Sequence, residues 1–197
     1  MKKISGFTII ELMIALSVIA VAITIGVPSM TTLIQNNRQV SSVNQLVGFI
    51  SLARSEAVSL SSAVSMCASS DGATCDTNNW ELGGLMFKGS AVSGHTPNAV
   101  DILKIIEPQA SGTTLRRRAS SSTVPAGYNA GYLRYQANGR LSDADASSFV
   151  LCDDRGAPHA RGVNINGIGQ VRLARDSDND GTVELIYDSA LQEISCP

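Results

Sequence analysis

A long apolar segment near the start of the chain, Phe7 to Val27, constrains the fold more than any other feature. Only Glu11, Ser17 and two threonines interrupt it, and a helix of about 20 residues is enough to cross a bilayer. Lys2 and Lys3 precede the segment, which favours a leader on the cytoplasmic side and the rest of the chain outside. We therefore expect a single membrane helix at the N-terminus.

Glu11 distinguishes this segment from an ordinary signal peptide. A cleaved signal peptide is the alternative, because Ala20-Val21-Ala22 resembles its cleavage site and would release a secreted β-domain. However, a carboxylate inside hydrocarbon costs a few kcal/mol unless it is paired. Cleavage of the Gly6–Phe7 bond would create an α-amino group that is largely protonated at neutral pH, and this cation is a suitable partner for Glu11.

The sequence from Gly6 to Leu12, GFTIIEL, resembles the N-terminal motif of type IV prepilins and type II secretion pseudopilins. The resemblance implies that an inner-membrane prepilin peptidase cuts after Gly6 and methylates Phe7. It also implies that Glu11 pairs with the N-terminal amine of a neighbouring subunit during filament assembly.

The helix is expected to continue past the membrane segment. Pro28 should kink it, since proline removes a backbone donor; the alternative is that the helix ends there. Apolar residues then recur at three- and four-residue steps between about 35 and 60, which predicts an amphipathic helix. Its apolar face comprises Val40, Val43, Leu46, Val47, Ile50, Ala53, Ala57 and Val58. The domain boundaries are thus a leader at 1–6, a membrane and filament-core half-helix at 7–30, an amphipathic half-helix at 31–61 and a globular head at 62–197.

Beyond the helix the pattern changes to short alternating segments separated by Gly- and Asn-containing turns, which predicts antiparallel strands. The expected fold is α+β, with a long kinked helix packed on a β-sheet head. The predicted strands are 63–68, 84–88, 100–106, 132–136, 148–152, 162–166, 170–175 and 182–187. The helix end at 53–58 and the segment from Asn79-Trp80 to Phe87 resemble the GspH/FimT group of minor pilins.

The four cysteines are even in number and lie outside any CxxC pattern, which favours disulfides in an oxidising compartment such as the periplasm. Sequence order suggests Cys67 with Cys75 and Cys152 with Cys196, although four cysteines allow three pairings.

An acidic segment, Asp176-Ser177-Asp178-Asn179-Asp180-Gly181-Thr182, matches the opening of a calcium loop. Its ligands would be Asp176, Asp178 and Asp180, with Glu184 at the ninth position. The bidentate glutamate of a full loop is missing, because Tyr187 stands at the twelfth position. A polar hairpin turn is therefore the preferred interpretation, and no cofactor is expected beyond this calcium alternative.

Two arginine groups raise the question of DNA binding, since arginines contact phosphates. Arg116-Arg117-Arg118 and the set around Arg172 and Arg175 are more typical of solvated faces. DNA-binding members of the FimT group carry a GRxR motif, but the nearest segment here begins at Gly169 and has glutamine in place of the first arginine. The net charge of −2 gives no general attraction to nucleic acid.

We expect a minor type IV pilin that primes or enters a pilus and supports pilus biogenesis and twitching motility. The alternatives are a minor pseudopilin of type II secretion, a DNA-binding pilin for natural transformation, and a secreted β-domain. The resemblance implies as partners other minor and major pilins, the prepilin peptidase and the inner-membrane assembly platform. An enzyme is not expected, because the sequence has no nucleophile elbow, phosphate-binding loop or complete metal site.

Overall fold

The computed structural model describes residues 6–76, 79–89, 96–109, 111–119, 132–141, 147–187, 190–194 and 196. The predicted leader, apart from Gly6, lies outside these residues. The chain divides into two compact units, Met1–Val40 and Ser41–Pro197. One α-helix, α1, covers Ile9–Ser59 and so contributes to both.

The first unit consists of the apolar part of α1. Its large apolar side chains are exposed at every described position, from Phe7 at 85% to Val40 at 40%. Of the described residues, only those of α1 form a helix long and apolar enough to span a bilayer. This unit therefore carries an apolar surface that no other part of the described chain covers.

In the second unit, the rest of α1 packs one face into the core. Val43, Leu46, Ile50, Ala53 and Ala57 are buried, as the helical spacing predicts. Two residues of the predicted apolar face are instead exposed, namely Val58 of this unit at 52% and Val40, the last residue of the first unit, at 40%. Phe49, which the pattern did not include, is buried at 3% exposure.

Two four-stranded antiparallel sheets and a two-stranded sheet form the head. The first sheet has the order β3-β2-β1-β5, the second β4-β6-β7-β8, and the third is the hairpin of β9 and β10. The strands are β1 Val64–Ala68, β2 Gly84–Lys88, β3 Ile102–Ile106, β4 Thr113–Ala119, β5 Tyr132–Tyr135, β6 Ser147–Asp153, β7 Arg161–Ile165, β8 Val171–Leu173, β9 Glu184–Tyr187 and β10 Ala190–Glu193.

All eight predicted strands are present, but β4 and β10 were missed. The β4 sequence contains three consecutive arginines, and charge runs are more typical of solvated segments than of strands. The structure places β4 antiparallel to the buried strand β6, in a register of seven residue pairs from Thr113↔Asp153 to Ala119↔Ser147. The segment thus forms a strand because it pairs with β6, and its own composition does not predict this.

The main core lies between α1 and the two larger sheets. Trp80, in a 3-10 turn at Trp80–Leu82, is fully buried and meets Phe149 of β6 edge-on, with ring centroids 5.1 Å apart. Edge-to-face contacts of this kind add to the stability gained from burial alone. A separate cluster on the other face of β6 joins Val150 and Cys152 to Leu185 and Ile194.

Candidate functional site

The N-terminal motif forms a reciprocal hydrogen-bonded cap on α1. The Thr8 N–H and hydroxyl both donate to Oε2 of Glu11 at 3.3 Å, and the Glu11 N–H donates to the Thr8 hydroxyl at 3.3 Å. This is a capping box, in which the first-turn glutamate and the N-cap threonine satisfy each other's backbone donors. The sequence pattern did not lead us to predict a role for Thr8, although Thr-x-x-Glu before an apolar run is a recognisable helix-capping signal.

The cap leaves both ends of the motif accessible. Phe7 is 85% exposed, and Gly6 is exposed with nothing within 4 Å of the place where a Cβ would stand. Glu11 is also exposed, and within the described part of the chain its carboxylate accepts hydrogen bonds from Thr8 alone. A carboxylate held only by a neighbouring threonine is available to a cationic partner from outside the chain.

Polar side chains further along α1 bond to the helix itself. Ser17 donates to the carbonyl of Ile14 and Thr24 to that of Val21, each at 2.8 Å. Thr31 and Thr32 both donate to the carbonyl of Pro28, at 2.8 and 3.1 Å. The helix continues through Pro28, so it does not end there. Local bonding of this kind lets hydroxyl groups lie in an apolar environment.

The disulfide Cys67–Cys75 closes a short polar loop after β1, in the predicted pairing. Asp71 organises this loop, because its carboxylate accepts the N–H groups of Ala73 and Thr74 at 2.8 Å. These bonds, with those from the Thr74 and Ser69 hydroxyls, hold the pKa of Asp71 well below its usual range.

The disulfide Cys152–Cys196 joins β6 to the C-terminal end of the chain across 44 residues, again in the predicted pairing. Cys152 is 3% exposed and lies in the cluster with Leu185 and Ile194. Gly162 of β7 makes this packing close, because a Cβ there would stand 2.8 Å from Leu185 and 2.7 Å from Ala174. The bond therefore fastens the third sheet against the outer face of the second.

The acidic loop brings Asp176 and Asp178 together with Glu184, with ligand oxygens within 4.8 Å of one another. Asp180 does not belong to this group; its carboxylate accepts the N–H and hydroxyl of Thr182, at 2.7 and 2.6 Å. The amide of Asp180 lowers the pKa of Asp178, but desolvation and the surrounding carboxylates outweigh this and raise it.

The acidic loop also contains the bonds of a turn. The two oxygens of Asp176 accept the N–H groups of Asn179 and Gly181, at 2.7 and 3.0 Å. A backbone bridge between Arg175 and Glu184 closes the loop. The flanking strands β8 and β9 lie in different sheets, so the predicted simple hairpin is replaced by a loop that connects two sheets. The N–H donors around Asp176 thus form the hydrogen bonds of a turn. Of the predicted calcium ligands, Asp176, Asp178 and Glu184 lie close together and Asp180 does not.

The arginines fall into two classes. Arg116 forms an ion pair with Glu81, and the Arg117 guanidinium donates to the hydroxyl of Ser147 at 2.7 Å, so neither is a freely solvated side chain. Arg172 and Arg175, the residues predicted for DNA contact, are both exposed on and just after β8.

Glu81 connects the two larger sheets and was missed from the sequence. Its carboxylate accepts the N–H of Leu115 at 3.2 Å and the guanidinium of Arg116, while its carbonyl accepts the N–H of Gln109. Desolvation raises the pKa of Glu81, but the bonds to Arg116 and Leu115 outweigh it and leave the pKa below its usual range.

Two family models match the chain. The N-terminal methylation motif of prokaryotes matches residues 1–27, and the family described as type II transport protein GspH matches residues 42–169. The second match covers more than half of the chain. A search of curated proteins found no significant match.

Solved structures share the fold. The type IV minor pilin FimU of Pseudomonas aeruginosa is similar in one crystal form with a TM-score of 0.54, at 24% identity over 71% of this chain and 90% of FimU. A second crystal form gives a TM-score of 0.51, at 23% identity over 68% and 90%. The minor pseudopilin EpsH of the Vibrio cholerae type 2 secretion system gives 0.43, at 11% identity over 69% and 95%.

These findings confirm the α+β pilin-like fold, with one long N-terminal helix, antiparallel sheets and two disulfides. Family membership implies a structural subunit, anchored by its apolar helix, that assembles with other pilins in a filament. The chain belongs to the GspH family of minor type IV pilins and pseudopilins, and it carries the prokaryotic N-terminal methylation motif.

Proposed function

We propose that the chain is a prepilin that a dedicated peptidase cuts between Gly6 and Phe7 and methylates at Phe7. The observation that carries this proposal is the N-terminal motif, in which an exposed Gly6–Phe7 junction precedes an accessible Glu11. Glycine suits a narrow protease cleft because it has no Cβ. The leader is then 1–6, the membrane and filament-core half-helix 7–30, the amphipathic half 31–61 and the head 62–197.

Before assembly, the helix holds the subunit in the inner membrane with the head in the periplasm. The assembly platform and its ATPase then extract the subunit into the filament. During this step, Glu11 exchanges its bonds with Thr8 for a bond to the Phe7 amine of the adjacent subunit. The donors of Thr8 are neutral, whereas the amine is a cation, so the new bond adds an attraction between opposite charges and the exchange favours the assembled state. Pro28 provides a kink near the outer end of the membrane segment.

The role is structural, and no chemical step is assigned to the head. We assign the chain to a type IV pilus, where it primes or enters the fibre and supports twitching motility. The support is a head closed by two disulfides, which resembles pilus-type minor subunits more than the usual cysteine-poor pseudopilins. A minor pseudopilin of type II secretion is the second candidate, favoured by the description of the matching family.

The test is the mature N-terminus, determined by intact mass and N-terminal sequencing after co-expression with a prepilin peptidase. The expected product begins with methylated Phe7. A Gly6→Val variant is the matched control and should remain uncut, because its side chain does not fit the cleft. Cleavage near Ala22 in either protein would overturn the prepilin proposal. Complementation of a pilus mutant and of a secretion mutant would then separate the two machines.

A further inference from the structure

Asn-Gly and Asp-Gly dipeptides are places where a protein chain can modify itself. The backbone nitrogen of the glycine can attack the side-chain carbonyl carbon of the preceding residue, because glycine has no Cβ to obstruct the approach. The chain contains four such dipeptides, at 71–72, 138–139, 166–167 and 180–181, and all four lie within the described residues. Which of them can react depends on whether the glycine nitrogen is available.

Hydrogen bonds occupy the N–H groups of three of these glycines. Gly72, Gly139 and Gly181 donate to a serine hydroxyl, a backbone carbonyl and a carboxylate, at 3.0, 2.8 and 3.0 Å. A bonded amide must break its hydrogen bond by local opening before it can give up its proton to solvent. Within the described part of the chain, the N–H of Gly167 donates no hydrogen bond. Gly167 is therefore the glycine whose nitrogen is available for attack.

The two Asn-Gly dipeptides lie in turns of the same kind, at residues 136–140 and 166–170. In each turn, the N–H of the fourth residue donates to the carbonyl of the first at 2.8 Å, and the N–H of the first donates to the carbonyl of the fifth, at 2.8 and 3.1 Å. The fourth residue is a glycine with positive φ in both turns, 74° at Gly139 and 79° at Gly169. The Asn-Gly dipeptide occupies the third and fourth positions of the first turn but the first and second positions of the second turn. The same turn thus bonds the glycine N–H in one case and leaves it unbonded in the other.

The carbonyl groups of the two asparagines are polarised in a similar way. Oδ1 of Asn166 accepts the N–H of Gln170 at 2.8 Å, and Oδ1 of Asn138 accepts the N–H of Arg140 at 3.0 Å. A donor at this oxygen stabilises the negative charge that develops on it during attack. The amide nitrogen of Asn166 donates to Oε1 of Gln170 at 3.4 Å, which is long for a hydrogen bond. The two sites therefore differ mainly in the glycine N–H.

We propose that Asn166 is a site of spontaneous deamidation. The Gly167 nitrogen forms a bond to Cγ of Asn166, the Cγ–Nδ2 bond breaks, and the amide nitrogen leaves as ammonia with the proton from Gly167. Water then opens the resulting cyclic imide at either of its carbonyl groups, which gives aspartate or isoaspartate. The reaction needs only the folded head and water, so it does not rest on the proposed function in a filament.

The turn after β7 is packed too closely to accept isoaspartate without a structural change. The Tyr135 hydroxyl donates to the carbonyl of Gly169 at 3.1 Å. A Cβ on Gly169 would stand 2.6 Å from the Tyr135 ring and 2.7 Å from the carbonyl oxygen of Gly139. Isoaspartate lengthens the main chain just before these contacts, and a closely packed interior does not absorb added volume freely. Isoaspartate should therefore lower the melting temperature, whereas Asn166→Asp keeps the main chain and should lower it less.

Peptide mass spectrometry of the full-length chain tests the proposal. The protein is incubated in detergent at mildly alkaline pH, which favours loss of the amide proton, and is digested at acidic pH. Electron-transfer fragmentation then separates aspartate from isoaspartate. Conversion at Asn166 should be about tenfold faster than at Asn138, because the hydrogen bond of Gly139 has to open first. Exposure alone would predict the opposite order, since Asn138 is exposed and Asn166 is half-buried.

Two variants and the unfolded chain serve as controls. Gly167→Ala should slow conversion at Asn166 and leave Asn138 unchanged, because a Cβ obstructs the attacking nitrogen; the φ of Gly167 is not positive, so alanine suits this backbone. Gln136→Asn with Ala137→Gly places a second Asn-Gly dipeptide at the first two positions of the first turn, where it should convert as fast as Asn166. In urea, where both turns unfold, Asn166 and Asn138 should convert at similar rates.

Equal conversion at Asn166 and Asn138 in the folded chain, or faster conversion at Asn138, would overturn the proposal. A Gly167→Ala chain that converts as fast as the native chain would overturn it as well. The comparison within the native chain needs no variant, so the test remains even if a variant misfolds. An unchanged melting temperature in samples rich in isoaspartate would refute the predicted effect on the packing of Gly169 against Tyr135.

Discussion

The two units use the same apolar residue types in opposite ways. In the first, the aliphatic side chains of α1 up to Ile34 are exposed, whereas in the second, Leu46, Ile50 and Phe149 are almost fully buried. Burial of an aliphatic side chain is worth about 1.5–3 kcal/mol, so the second unit derives its stability from its own chain. The first unit gains that energy only from lipid or other subunits. The later part of α1 thus stabilises the folded head, whereas the earlier part is available to lipid or to other subunits.

Polar groups differ between the units in a corresponding way. In the first, Ser17, Thr24 and Thr31 bond within one helical turn, so they need no tertiary neighbour. In the second, Glu81 reaches Leu115 and Tyr135 donates to the carbonyl of Gly169, across 34 residues in each case. Substitutions in the first unit should therefore affect assembly more than folding, and substitutions in the second the reverse.

Glu11→Ala gives the largest expected effect. Membrane insertion and cleavage should be unchanged, since neither needs the carboxylate. Incorporation into filaments should fall by more than about tenfold, because the α-amino group of a neighbour would remain unpaired in an apolar interior. Immunoblots of sheared filaments against membranes measure this ratio. Glu56→Ala, in the head part of the same helix, is the matched control; if both variants assemble normally, the proposed registration is wrong.

Trp80→Ala tests the second unit. Removing a fully buried aromatic residue should lower the free energy of unfolding by about 3–5 kcal/mol, through lost transfer energy and a cavity beside Phe149. Leu82→Ala, at a residue of the same turn that is 42% exposed, should cost less than about 1 kcal/mol. Chemical denaturation followed by circular dichroism measures both. Equal losses would show that Trp80 does not anchor the core.

The two disulfides should differ in their contribution. In the chain-entropy model, a loop of 44 residues is worth about 4 kcal/mol and one of 8 residues about 2.5 kcal/mol. Paired substitutions, Cys152→Ala with Cys196→Ala and Cys67→Ala with Cys75→Ala, avoid free thiols. The first pair should lower the melting temperature more. An unchanged melting temperature for the first pair would contradict its role in holding the third sheet.

The sequence predicted elements whose signals are local. The apolar run, the helical spacing around Leu46 and Ile50 and the turns after β5 and β7 each depend on neighbouring residues. The cysteine pairing followed from the order of the cysteines in the chain. The missed features depend on residues distant in sequence. From the sequence alone, Arg116 was interpreted as a solvated charge. In the structure it lies in β4, which pairs with β6, and it forms an ion pair with Glu81. β9 lies outside the sheet of β8, and its Leu185 packs with Val150 and Cys152, a contact that no local pattern reveals.

Glu81→Gln tests an ion pair between residues that are distant in sequence, Glu81 and Arg116. Because the folded-state pKa of Glu81 lies below its usual value of 4.5, its contribution is fully present above that pH and is lost as the pH falls through the folded-state pKa. The variant should lose about 1 kcal/mol near pH 7, a modest value because both partners are partly exposed. The difference from the native chain should shrink below pH 4.5. Glu107→Gln, at an exposed glutamate, should show no such convergence.

The smallest expected effect is that of calcium on the acidic loop. Asp180 is already bonded to Thr182, both oxygens of Asp176 accept loop N–H groups, and one oxygen of Glu184 accepts the N–H and hydroxyl of Ser177 at 2.9 and 3.0 Å. A turn that satisfies its own carboxylates needs no cation, so calorimetry with calcium should show no binding heat. Asp178→Asn further distinguishes a polar turn from a calcium site. It removes a charge whose neighbours raise its pKa, so in a turn it should leave stability unchanged or slightly higher. If calcium raised the melting temperature of the native chain and Asp178→Asn abolished that rise, the loop would be a metal site despite its incomplete ligand set.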